Sequence, residues 1–65
     1  MGTGGNISSR TLVALALEYG FKKIRQKGSH ATYSNGSKCV IIPIHKGKDI
    51  GKGLAIKIIN QIKHN

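Results

Sequence analysis

Hydrophobic residues recur with a helical period near both ends of the chain. After Ser8 or Ser9, either of which can cap a helix, apolar positions are spaced by three and four residues until Gly20 supplies a stop. This first stripe consists of Leu12, Leu15, Ala16 and Tyr19. A second stripe with the same spacing follows Gly51 and consists of Leu54, Ala55, Ile58, Ile59 and Ile62. The pattern predicts two amphipathic helices that flank a central segment.

The central segment alternates with a period of two, which is typical of strands. Residues 21–27, 29–34 and 38–44 form three such runs. Lys27-Gly28 separates the first two runs, and Asn35-Gly36, a strong hairpin signal, separates the last two. We therefore predict an α+β domain with a three-stranded antiparallel sheet between two helices.

Two-residue loops would fix the register of both hairpins, because the residues that flank such a loop pair directly. This register pairs His30 with Arg25 on one side and with Ile41 on the other. One face of the sheet is then apolar enough to receive both helices, and it carries Ile24, Ala31, Tyr33, Val40, Ile42 and Ile44. The other face is left open and carries Lys23, Arg25, His30, Thr32, Cys39 and Ile41.

Size and charge restrict the classes of function. The 65 residues are enough for one small domain, which we place at 8–65 after a flexible Gly-rich leader at 1–7. Eleven Lys and Arg against two acidic residues give a net charge of +9, so the partner should be anionic: RNA, DNA, an acidic protein or a membrane surface. Two Tyr and one Phe offer little surface for base stacking, which favours phosphate contacts. DNA binding is disfavoured because no recognition helix is identifiable.

The cysteine count and the hydropathy indicate the compartment. A lone cysteine, Cys39, cannot form an intramolecular disulfide and fits a reducing cytoplasm. No apolar run approaches the roughly 20 residues that cross a bilayer, and the first six residues lack the apolar core of a signal peptide. The histidines and the cysteine do not have the close paired spacing of a structural zinc site. We expect a cytoplasmic protein without a membrane partner, a metal or another cofactor.

His30 is the candidate chemical group because it lies inside a predicted strand beside cations. Positive neighbours disfavour protonated imidazole, which leaves the neutral base available near pH 7. Such a base can remove the 2′-hydroxyl proton of RNA so that the oxygen attacks the adjacent phosphodiester, while cations stabilise the developing charge. Lys23, Lys27 and Arg25 would contact phosphate, and Arg25 could donate two parallel hydrogen bonds. An exposed histidine in a module that only binds RNA fits the same residues.

The loop after the third strand adds further candidates. His45 lies beside Lys46 and Lys48, where its imidazole could contact phosphate or anchor the loop. The nearby glycines could present backbone amides to a phosphate at the start of the second helix, although their order is not that of a P-loop and turn formation is the simpler explanation. The predicted RNA- or phosphate-binding residues are Lys23, Arg25, Lys27, Ser29, His45, Lys46, Lys48 and Lys52.

Four short motifs indicate a family. They are Tyr19-Gly20-Phe21, Arg25-Gln26-Lys27-Gly28-Ser29-His30, Pro43-Ile44-His45, and Gly53-Leu54 with Ile58-Ile59. With them, the segment from Ser8 to about Ile62 resembles the HicA family of toxin mRNA interferases. The Gly-Ser-His element together with the later Pro-x-His is the more specific part. One departure is the helix entry at residues 51–55, where the family often has Thr after the glycine.

The resemblance implies a double-stranded-RNA-binding-domain-like α-β-β-β-α fold. It also implies a metal-independent endoribonuclease that cleaves mRNA with a single catalytic histidine, His30, and arrests translation. A HicB-like antitoxin would cover that histidine, and we expect the free toxin to be a monomer. The alternative is a non-catalytic RNA-binding module of the same fold, which would need only a cation or a hydrogen-bonding group at position 30.

Overall fold

The computed structural model of the protein describes residues 7–44 and 49–64. Its elements, in chain order, are β1 (Ile7–Ser8), α1 (Ser9–Glu18), β2 (Lys22–Lys27), β3 (His30–Ser34), β4 (Cys39–Pro43), β5 (Asp49–Ile50) and α2 (Lys52–Lys63). Strands β2, β3 and β4 form an antiparallel sheet in that order, and β1 pairs with β5. The α+β prediction is confirmed, and the order of the elements is consistent with a double-stranded-RNA-binding-domain-like fold. Ile7, at the end of the predicted leader, pairs with Ile50.

Helix α1 is capped at both ends by local sequence. The Ser8 hydroxyl accepts a hydrogen bond from the Thr11 backbone N–H at 3.2 Å, so Ser8 is the N-cap. Beyond the helix, Gly20 adopts φ +87°, its N–H donates to the Leu17 carbonyl, and the Phe21 N–H donates to the Ala16 carbonyl at 2.9 Å. This pair of bonds is a Schellman motif, which favours glycine at the left-handed position. The turn directs Phe21 into the core.

The core lies between the two helices and one face of the sheet, here called the inner face. Its buried side chains are Leu12, Ala16, Phe21, Ala31, Tyr33, Val40, Ile42, Ile50, Ala55, Ile58 and Ile62. Both helices contact β4, so the buried stripes of the helices meet the predicted face of the sheet. Ile44 packs against this cluster as a partly buried residue.

Two residues assigned to the helical stripes are exposed instead. Tyr19 is 44% exposed because it follows the last helical residue as the C-cap, where the chain turns away. Leu54 is 47% exposed because it lies in the first turn of α2, at the margin of the stripe that Ala55, Ile58 and Ile62 bury. These two members of the predicted apolar stripes therefore lie outside the core.

The first hairpin has a different turn from the predicted one. Gly28 and Ser29 form the two-residue turn, so Lys27 pairs with His30, and the predicted pairing of Arg25 with His30 is wrong. Gly28 has φ +60° while Ser29 does not have a positive φ, as in a type II′ turn, which requires glycine at its first position. The predicted Lys27-Gly28 turn would have put lysine there.

The second hairpin has a four-residue loop, 35–38, instead of the predicted two-residue one. The Asn35 side-chain oxygen accepts hydrogen bonds from the backbone N–H groups of Ser37 and Lys38, at 2.9 and 2.8 Å. These bonds keep Ser37 and Lys38 in the loop. Ser34 therefore pairs with Cys39, and His30 pairs with Pro43 and not with Ile41 as predicted. The longer loop moves each β4 partner by two residues, so the inner-face residues of β3 and β4 are those predicted.

A bulge in β2 breaks the predicted alternation. Lys23 pairs with Tyr33 and Arg25 pairs with Thr32, which leaves Ile24 as the extra residue. Because Tyr33 belongs to the inner face, Lys23 lies on that side of the sheet and not on the open face as predicted. Ile24 has no partner on β3 and is 58% exposed, so its predicted place in the core is also wrong.

Candidate functional site

The open face of the sheet, opposite the helices, presents three cross-strand rows with one residue from each strand. The first row is Lys27, His30 and Pro43; the second is Arg25, Thr32 and Ile41; the third is Lys22, Ser34 and Cys39. Each row therefore begins with a cation on β2 and ends with an apolar or thiol-bearing side chain on β4. Directly paired residues on one face have Cβ atoms about 4.5–5.5 Å apart, so each row is a set of close neighbours.

His30 lies at the end of the open face, in the row nearest the β2–β3 turn. Its side chain is exposed, with Lys27 beside it on β2 and Pro43 on β4. Arg25 belongs to the adjacent row, two residues along β2 from Lys27. The structure thus brings the histidine close to two of the predicted phosphate-binding cations, although through a different register from the predicted one.

The turn that precedes His30 is held by hydrogen bonds on both of its carbonyl groups. The Gln26 side-chain amide donates to the Gly28 carbonyl at 3.0 Å, and the Ile44 backbone N–H donates to the Ser29 carbonyl at 2.6 Å. Gln26 in turn accepts a hydrogen bond from the Lys23 ammonium at 2.9 Å. Ser29 itself is half-buried in this turn. The backbone leading into His30 is therefore fixed from β2 and from the end of β4.

Positive charge on this sheet is not balanced by acidic residues of the sheet. Residues 22–44 contain no Asp or Glu, while the two acidic residues, Glu18 and Asp49, lie at the end of α1 and in β5. A phosphate group placed on the open face would meet Arg25 or Lys27 without a competing carboxylate from these strands. Cations so arranged stabilise the developing negative charge of a phosphoryl transition state.

The other predicted site residues fall into two groups. Lys23 and Lys52 are exposed but lie outside the open face, Lys23 on the inner side of β2 and Lys52 as the first residue of α2. His45, Lys46 and Lys48, with Gly47 between them, lie outside the described residues. Within 7–44 and 49–64, no group of three His, Cys, Asp or Glu side chains could hold a metal ion.

Sequence reasoning missed three residues around this site. Lys22 completes the third row. Ile24, next to Arg25 in β2, is an exposed apolar side chain, as Ile41 is on the open face, and the two are 58% and 54% exposed. Gln26 contacts the turn. All three placements depend on the bulge or on the turn register, neither of which leaves a mark in the hydrophobic pattern. The motif from Arg25 to His30 is the sequence feature that indicated a functional role for this hairpin.

One comparison with known proteins gives a match. The family model described as HicA toxin of bacterial toxin-antitoxin matches residues 9–63, a range that contains both helices and the whole β2-β3-β4 sheet. No curated protein and no solved structure matches. Among the described helices, none is long and apolar enough to cross a bilayer. The matched range leaves out only short stretches at the two ends, and the chain therefore belongs to the HicA toxin family of bacterial toxin-antitoxin systems.

Proposed function

We propose that this toxin is a metal-independent endoribonuclease that cleaves mRNA in the cytoplasm and so arrests translation, with His30 as its catalytic residue. The observation that carries the proposal is the position of His30 on the open face, exposed and paired with Lys27, in a chain of the HicA toxin family. Cleavage in which the ribose 2′-hydroxyl is the nucleophile requires a neutral imidazole that is exposed and close to cations.

The reaction follows from these groups. The His30 imidazole takes the proton of a ribose 2′-hydroxyl, and the oxygen attacks the adjacent phosphorus. The bond from phosphorus to the 5′ oxygen breaks, and that oxygen takes up a proton from the imidazolium or from solvent. Arg25 and Lys27 stabilise the charge that develops on the phosphate oxygens, and Arg25 can do so with two parallel hydrogen bonds.

The remaining predicted contacts would extend the RNA path. Ser29, in the turn beside His30, would reach the same phosphate group, while Lys52 would contact a more distant one. His45, Lys46 and Lys48 belong to this proposal by their sequence position after β4. None of these contacts needs a cofactor.

A HicB-like antitoxin is the proposed protein partner, and it would cover the open face. Ile24 and Ile41 support this assignment, because exposed apolar side chains gain from burial in a protein interface and gain little from phosphate. Cations around them favour a partner surface rimmed by carboxylates. Ile24→Ser and Ile41→Ser should weaken the toxin-antitoxin complex, measured by calorimetry, and leave RNA cleavage close to wild type.

Single-turnover cleavage of a labelled single-stranded RNA in EDTA tests the nuclease proposal. We expect wild type to cut, His30→Ala not to cut, and 2′-deoxy substitution of the RNA to block the reaction. His64→Ala is the matched control, because His64 is an exposed histidine at the C-terminal end of α2. Equal cleavage by wild type and His30→Ala would contradict the assignment of His30. Binding with equal salt dependence and no cleavage by either would identify a non-catalytic RNA-binding module.

A further inference from the structure

We infer that Gln26 is a positioning residue for His30 and that the β2 bulge, with Lys23, holds Gln26 in place. The inference rests on the proposed catalytic role of His30. It is carried by a chain of two hydrogen bonds, from the Lys23 ammonium to the Gln26 side-chain oxygen at 2.9 Å and from the Gln26 side-chain N–H to the Gly28 carbonyl at 3.0 Å.

The β2–β3 turn immediately precedes His30, so its geometry determines the position of the His30 backbone. Gly28 and Ser29 are its two central residues, and His30 is the first residue of β3. The Ser29 carbonyl is tied to Ile44, so the bond from Gln26 to the Gly28 carbonyl restrains the other peptide of the same turn. Without the bond from Gln26, the Gly28 carbonyl would lose this restraint at a residue that tolerates most backbone angles.

The bulge explains how Lys23 reaches Gln26. In a regular strand, residues three apart point to opposite faces of the sheet. Here Ile24 is the extra residue, so Lys23 pairs with Tyr33, Gln26 pairs with Ala31, and both lie on the inner side. Bulges of this kind re-aim side chains and occur beside active sites.

Gln26 lies on the side of the sheet opposite the site. His30 belongs to the open face, whereas Gln26 lies on the other side of β2, at an edge strand whose residues are all exposed. RNA bound to the open face would contact Lys27 and Arg25 and would not contact Gln26. A loss of the Gln26 bond should therefore lower kcat through misplacement of the imidazole and leave KM nearly unchanged.

Three variants test this device in the RNA cleavage assay. Gln26→Glu keeps an acceptor for Lys23 but has no N–H for the Gly28 carbonyl, and we expect kcat to fall about tenfold with KM within about twofold. Lys23→Met should lower kcat by less, since Gln26 is still present, and Lys23→Arg should restore it. Gln61→Glu is the matched control, because it makes the same charge change at an exposed position of α2.

NMR of the same full-length variants separates this inference from the proposed function. The Hα–Hβ couplings of His30 report its rotamers, and we expect one dominant rotamer in wild type and averaged couplings in Gln26→Glu. If wild type does not cleave RNA, the proposed function fails, while averaged couplings in Gln26→Glu alone would still support the positioning role. Unchanged couplings in Gln26→Glu, or a kcat equal to that of Gln61→Glu, would overturn it. Gln26→Met, which lacks both donor and acceptor, replaces Gln26→Glu if that variant does not fold.

Discussion

At the scale of single residues, glycines determine where this chain turns. Gly20 and Gly28 both adopt positive φ, one at the end of α1 and one in the turn before His30. An added Cβ would meet no atom within 4 Å at either position, so the requirement is one of backbone angle and not of space. Gly53, in the first turn of α2, has the same open surroundings without a positive φ.

Because Gly20 and Gly53 differ in backbone conformation, substitution by alanine should change the free energy of unfolding in opposite directions at the two positions. Gly20→Ala should lower the free energy of unfolding by about 1 kcal/mol, because alanine is strained in the left-handed region. Gly53→Ala should raise it by about 0.5–1 kcal/mol, because alanine has the higher helix propensity and a less flexible unfolded state. Urea unfolding followed by circular dichroism measures both values. Changes of the same sign would contradict the assignment of the two backbone conformations.

At the scale of elements, the sequence was most informative where one local rule decides the structure. The two amphipathic helices, apart from Tyr19 and Leu54 in their stripes, and the inner-face residues of β3 and β4 follow from periodicity, and the Gly20 stop follows from the preference for glycine after a helix; all of these are confirmed. The two errors of hairpin register lie at Gly28 and Asn35, where the same residues can form either of two turns. The bulge at Ile24 could not be predicted, because one inserted residue in an exposed edge strand costs no buried surface and leaves the pattern of apolar residues unchanged.

The start of α1 supplies a prediction at this scale, since Ser8 and Ser9 were equally good capping candidates by sequence. Ser8→Ala should cost about 1 kcal/mol of unfolding free energy, because the Thr11 N–H loses its acceptor. Ser9→Ala should be neutral or slightly stabilising, because Ser9 is the first helical residue and alanine is a better helix former. Denaturant titration of the two variants compares them directly, and a larger loss for Ser9→Ala would show that the cap is one residue later.

At the scale of the whole molecule, the two faces of the sheet have different roles. The inner face carries the aliphatic and aromatic side chains that pack against the helices, and the open face carries Lys22, Arg25, Lys27 and His30. A net charge of +9 attracts RNA from every direction, so affinity alone says little about where RNA binds. What distinguishes a specific site is which cations displace counterions from the bound strand.

Salt dependence of RNA binding tests that division of the surface. In a His30→Ala background, which prevents cleavage, we expect Arg25→Gln and Lys27→Gln each to reduce the slope of log affinity against log salt by about 0.7, the value for one phosphate contact to a single strand. Lys57→Gln is the control, because Lys57 is an exposed cation on α2, on the other side of the sheet. Fluorescence anisotropy with a labelled single-stranded RNA measures the three slopes. If Lys57→Gln reduces the slope as much as Arg25→Gln does, binding is diffuse over the surface, and the open face is not the RNA site.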